Sequence, residues 1–94
     1  MRWYVYVVEC KDKIYYVGLT TNIRRRIWQH NNGVYKGSFT KGRLPVKLVY
    51  LEKHNNKSEA ALREKKIKDW RREKKLALIT KFTSNLMKLN EKVP

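Results

Sequence analysis

The 94 residues of this chain read as an α+β domain with the element order β-β-α-β-α-α. Two runs rich in aromatic and β-branched residues, Trp3 to Cys10 and Ile14 to Leu19, flank Lys11-Asp12-Lys13 and make a hairpin. Thr20-Thr21-Asn22 follows at once as a helix-start signal, and Gly33 supplies a stop. Further on, Ser58 opens a long run of Glu, Ala, Leu, Lys and Arg, residue types that suit helices.

Parity along the hairpin decides what its faces carry. If Cys10 pairs with Ile14 across a three-residue loop, the even-numbered residues share one face, with Tyr4, Tyr6, Val8, Tyr16, Gly18 and Thr20 on it. Trp3, Val5, Val7, Tyr15, Val17 and Leu19 then form the core face. A two-residue turn would set Tyr6 and Tyr16 on opposite faces. Lys13 stands where such a loop usually has glycine, so the register is an expectation to test.

The first helix starts at Asn22 or Thr21, runs to about Asn31 or Asn32, and packs Ile23 and Ile27 inward. Residues 34–45 are loop-like, punctuated by Gly37, Gly42 and Pro45. Val46 to Leu51 reads as a third strand. Ser58 is the expected cap of the next helix, with Glu59 in its first turn. That helix reaches Trp70 or beyond, and a break near Arg72 opens another holding Leu76, Ile79 and Phe82. One domain over 1–82 is expected, followed by a tail, 83–94, that docks as a short helix or frays.

Composition narrows the function. Twenty-three Lys and Arg against eight Asp and Glu leave a net charge of +15, a density that favours polyanions through counterion release. Residues 24–50 hold seven basic residues and no acidic one. Arg24, Arg25, Lys36, Lys41 and Arg43 are the candidates to follow a phosphate backbone. No apolar run approaches the ~20 residues of a membrane helix, and Met1-Arg2-Trp3 lacks a signal peptide's apolar core. A cytoplasmic protein without a membrane partner is the expectation. The single Cys10 allows no internal disulfide and reads as a small buried hydrophobe. With only His30 and His54 beside it, Cys10 offers no four-ligand zinc site either.

Arg26 and His30 lie four apart, one above the other on a helix face. Glu64 shares a helical face with Ala60, Ala61 and Ile67 while Arg63, Lys65 and Lys66 flank it. A carboxylate turned toward a core must be paired or hold a metal. An ion pair to an arginine such as Arg26 satisfies it as well as a metal does. Tyr6 and Tyr16, taken singly, suit a core as well as a site.

The ordered set Tyr4-Val5-Tyr6, Tyr16-Val17-Gly18-Leu19-Thr20, Asn22, Arg26, His30-Asn31 and Glu64 resembles the GIY-YIG nuclease superfamily. The resemblance spans about residues 2–80 and is closest to the small stand-alone bacterial members. Tyr4 stands where the first motif has glycine. The superfamily includes the incision domain of bacterial nucleotide-excision repair, homing and restriction endonucleases, and a junction nuclease. The resemblance implies a three-stranded antiparallel sheet flanked by helices, with the site on one face. It implies catalytic roles for Tyr6, Tyr16, Arg26, His30 and Glu64, with Gly18 at a tight backbone position.

A metal-dependent endonuclease is therefore expected, cutting DNA rather than RNA, in DNA repair or on branched DNA. Mg²⁺ (or Mn²⁺) would be held by Glu64 alone among protein ligands, since this ion keeps several waters. Arg26 would meet charge on the phosphate. A free tyrosine titrates near ~10 and a free histidine near ~6.5. The resemblance favours Tyr6 as general base, with His30 its rival. The alternative from another class is a non-catalytic nucleic-acid- or ribosome-binding module that keeps the fold. A third reading adds a protein partner that supplies specificity.

Overall fold

The computed structural model describes residues 2–34 and 40–91, with side chains through Ser84. Its elements are β1 (Trp3–Glu9), β2 (Tyr15–Thr20), α1 (Ile23–Asn31), β3 (Lys47–His54), α2 (Lys57–Asp69) and α3 (Arg72–Glu91). The strands form one antiparallel sheet in the order β2-β1-β3. The α+β class, element order and three-stranded antiparallel sheet are as expected.

The hairpin takes the three-residue loop. Cys10 N–H donates to Ile14 O at 2.9 Å and Lys13 N–H to Cys10 O at 2.9 Å. Lys13 itself adopts φ 70, the left-handed conformation that closes such a loop. Arg72 Nη1 holds its carbonyl at 2.9 Å, and Asp12 accepts from Ile14 N–H at 3.3 Å, so neighbouring groups stabilise a lysine where glycine is usual. The ladder then pairs Tyr6 with Gly18 and Val8 with Tyr16, which fixes the tyrosines on one face.

Both faces of the sheet are covered, so the central strand β1 is buried from Val5 to Val8. Val5, Val7 and Val17 pack with Ala60, Ile67 and Ile79 of α2 and α3. Tyr6 and Val8 pack with Cys10 and Val46, and Ile23 and Ile27 of α1 lie against them. The even face is thus a second core rather than an open surface. β3 runs three residues past the expected Leu51 because Glu52 and His54 are satisfied there. Tyr50 Oη donates to Glu52 at 2.6 Å, His54 lies 2.6 Å from the same carboxylate, and Arg63 Nε reaches both oxygens at 3.0–3.1 Å. Burial raises the Glu52 pKa, but the Tyr50, His54 and Arg63 bonds outweigh it and the net shift is downward.

The helix ends follow local chemistry. Asn22 caps α1 by accepting from Arg25 N–H at 3.1 Å. At the other end Gly33 N–H donates to His30 O and Val34 N–H to Gln29 O, with Gly33 at φ 67, a Schellman closure. The cap of α2 is Asn56 rather than Ser58. Its Oδ1 accepts from Glu59 N–H at 2.9 Å, and starting the helix at Lys57 leaves Ser58 inside the first turn. α3 begins at Arg72, where the break was expected, and continues to Glu91. No helix among the described residues is long and apolar enough to cross a membrane.

Candidate active site

Tyr6 is fully buried, and its ring lies across Gly18, its ladder partner. A Cβ at Gly18 would stand 2.7 Å from Tyr6 Cε1 and nearer still to Cζ and Oη. The glycine is needed for space, because an aromatic ring occupies the side-chain position of an outer strand. Gly18→Ala is expected to displace the Tyr6 ring and lower stability by ~1–3 kcal/mol, as overpacking does. Urea unfolding measures the loss, and the His30 ring resonances should move with it.

From there Tyr6 Oη reaches His30 Nε2 at 3.0 Å, and His30 Nδ1 reaches Thr40 Oγ1 at 2.8 Å. His30 is 1% exposed and Thr40 3%. Both hydroxyls can donate or accept, so the chain is satisfied with the imidazole proton on either nitrogen. Tyr16 stands edge-on to His30, with ring centroids 5.5 Å apart, and tilted against Tyr6 at 6.3 Å. Unlike Tyr6, Tyr16 is half-buried and lines an open cleft.

Burial, and then the charge of Arg26, push the His30 pKa down to about 4. The imidazole is neutral at pH 7. Below pH 6.5 the unfolded chain takes up a proton that the native site refuses, so stability falls as pH drops from 6.5 toward 4. The full loss is roughly 3 kcal/mol. Chemical unfolding at a series of pH values should show this slope, and His30→Gln should flatten it. Glu52, whose pKa is lowered, adds a loss in the same direction only below its ordinary 4.5.

Arg26 lies one turn before His30, half-buried, with Nε donating to Gln29 Oε1 at 3.2 Å and Nη1 to Leu19 O at 3.3 Å. These bonds hold the guanidinium against the outer edge of β2. Arg24 and Arg25 are exposed on α1, as is Lys41 in the loop. Arg43 is tied to the hairpin by its 2.9 Å pair with Asp12, and its carbonyl accepts from Lys11 N–H at 2.8 Å. Lys36 lies outside the described residues.

Glu64 projects from α2, the helix on the opposite face of the sheet from the tyrosines. Glu64 and the two tyrosines therefore stand on opposite faces of the sheet. The Glu64 carboxylate is 21% exposed and pairs with Lys68 at 3.6 Å, and Lys68 lines the same cleft as Tyr16. The pair is made with this lysine one turn away rather than with an arginine such as Arg26. Among the described residues no three His, Cys, Asp or Glu gather as a metal cluster. A single partly buried carboxylate suits a hard ion that keeps its waters and takes the rest of its ligands from a phosphate.

Two residues that the resemblance gives no catalytic role act here. Thr40 orients His30, and only the fold reveals that partnership. Asn31 clamps the main chain of Val46, accepting from its N–H at 2.7 Å and donating to its O at 3.3 Å. That bracket ties the end of α1 to the start of β3 and so frames the loop carrying Thr40.

Residues 2–77 match the GIY-YIG catalytic domain, and the chain belongs to that family, within the GIY-YIG nuclease superfamily. Nucleases of this kind act on nucleic acid and generally use divalent metals. The chain is 49% identical over 76 residues to a UPF0213 protein of Syntrophus aciditrophicus, covering 81% of this chain and 87% of that one. A UPF0213 protein of Clostridium perfringens is 51% identical over 77 residues, covering 82% of each. The solution structure of a UPF0213 protein from Bacillus halodurans superposes with a TM-score of 0.56 at 40% identity, covering 85% of this chain and 84% of that one.

Proposed function

We propose that this protein is a metal-dependent endonuclease that hydrolyses DNA phosphodiester bonds, with branched or damaged DNA as the substrate. The observation that carries the reading is a half-buried Tyr16 on the outer strand, braced by the buried Tyr6–His30–Thr40 chain, with Arg26 one turn from His30. A module that only binds needs charge and not this set.

The roles follow from burial. Tyr16, half-buried on the outer strand, takes the proton of the attacking water. Water oxygen bonds to phosphorus, the bond to the leaving oxygen breaks, and that oxygen is protonated from solvent. Tyr6, fully buried, acts through His30 to hold the floor against which Tyr16 packs. That moves the base from Tyr6 to Tyr16, because a hydroxyl sealed against His30 has no open path to water. His30, neutral and enclosed, is a positioning residue. Arg26 stabilises charge on the phosphoryl oxygens, and loss of such a donor costs ~10²–10³ in rate. Glu64 would hold Mg²⁺ or Mn²⁺, which supplies Lewis-acid stabilisation of the phosphoryl group.

The test is cleavage of plasmid, single-stranded and branched DNA, and of RNA, in Mg²⁺ or Mn²⁺ and with a chelator. Metal-dependent cutting of a branched substrate is the expected result. Tight, salt-sensitive binding with no cleavage on any substrate would overturn it in favour of a binding module.

A further inference from the structure

The cleft beside Tyr16 has a volume of about 330 Å³ and is lined by Tyr15, Tyr16, Val17, Lys68 and Lys75. We infer that it is a second phosphate subsite, taking the phosphodiester next to the one that is cut. The inference rests on the nuclease reading above.

Three features build the subsite. The first is the backbone of β2. Because Cys10 and Ile14 form a hydrogen-bonded pair, the bonded pairs along the ladder are Val8/Tyr16, Tyr6/Gly18 and Tyr4/Thr20. The main-chain groups of Tyr15, Val17 and Leu19 therefore turn outward, away from β1. Arg26 on Leu19 O occupies one end of this edge, and Val17, whose N–H the ladder turns outward, lines the cleft two residues away. Two residues along a strand span about 6.8 Å, a step that matches neighbouring phosphates of an extended strand.

The second feature is anchored charge. Lys75 is half-buried and its ammonium donates to Lys68 O at 3.3 Å, which places it at the C-terminal end of α2. Lys68 brings a second ammonium, shared with Glu64. The third is a fixed wall. Arg72 lies 4.6 Å from the Tyr15 ring centroid while donating to Lys13 O at 2.9 Å, so Tyr15 is held by the hairpin turn. Cations, a backbone donor and aromatic sides together suit a phosphodiester with its sugar rather than a bare anion.

Thymidine 3′,5′-bisphosphate, the two thymidine monophosphates and inorganic phosphate are the probes, followed by amide NMR with Ca²⁺ present. The bisphosphate should bind about tenfold more tightly than either monophosphate, the size of one charge-assisted contact, and should shift Val17 N–H. Lys75→Gln should remove that advantage and leave monophosphate binding in place. A bisphosphate with no advantage, or one that survives Lys75→Gln, overturns the subsite. So does saturation of the Val17 shift by inorganic phosphate alone. Cleavage of DNA without the bisphosphate advantage sinks only the subsite. The advantage without cleavage on any substrate supports the subsite and sinks the nuclease reading.

Discussion

Tyr16→Phe is expected to lower the single-turnover cleavage rate by about 10²–10⁴, the usual effect of a general base. The fold should hold, since the half-buried ring keeps its edge-on contact with His30 and its tilted contact with Tyr6. Tyr6→Phe should behave differently. It leaves His30 Nε2 without its 3.0 Å partner in a site from which water is excluded, at a cost of ~1–3 kcal/mol in stability. Its rate loss comes from looser placement of Tyr16 and should be smaller. The two variants also separate by pH. Loss of a base removes the rise of rate with pH, whereas a slackened floor lowers the whole profile. A Tyr6→Phe enzyme that loses its pH dependence, beside a Tyr16→Phe enzyme that keeps it, would return the base to Tyr6.

That distinction was not legible in the residues. Period-two alternation and the Cys10/Ile14 pairing do put Tyr6 and Tyr16 on one face, and Lys13 at φ 70 closes the loop that this requires. Alternation does not say what covers the face. Ile23 and Ile27 of α1 bury Tyr6 beneath a second core, and position alone leaves Tyr16 on the outer strand. The same limit applies to Glu64. Helical spacing aims it with Ala60 and Ile67 toward the sheet, but which face α2 covers is a tertiary fact. Glu52 and His54 look too polar for a strand, yet they extend β3 because Arg63, eleven residues on, arrives to pair with Glu52. Caps were legible to within two residues: Asn22 and Gly33 act as read, while Asn56 captures the start of α2 ahead of Ser58.

Glu64→Gln carries the largest expected effect on chemistry. Removing its charge takes away the carboxylate proposed to hold the divalent ion, and cleavage should fall by about 10³ or more. A metal ion supplies several kcal/mol of charge stabilisation, and each 1.36 kcal/mol is tenfold in rate. Structural loss cannot account for such a fall. The Glu64–Lys68 pair is an i,i+4 contact at 3.6 Å with Lys68 48% exposed, a class worth only ~0.3–0.5 kcal/mol. The melting temperature should therefore barely move. Binding should move the other way: one of only eight acidic residues is gone and Lys68 is released toward phosphate, so affinity for DNA should hold or rise. Fluorescence anisotropy in Ca²⁺ and single-turnover cleavage in Mg²⁺ measure the two halves on the same preparation. Weakened binding together with slow cleavage would mean that Glu64 holds the surface in shape, and cleavage at the parent rate would place the metal elsewhere.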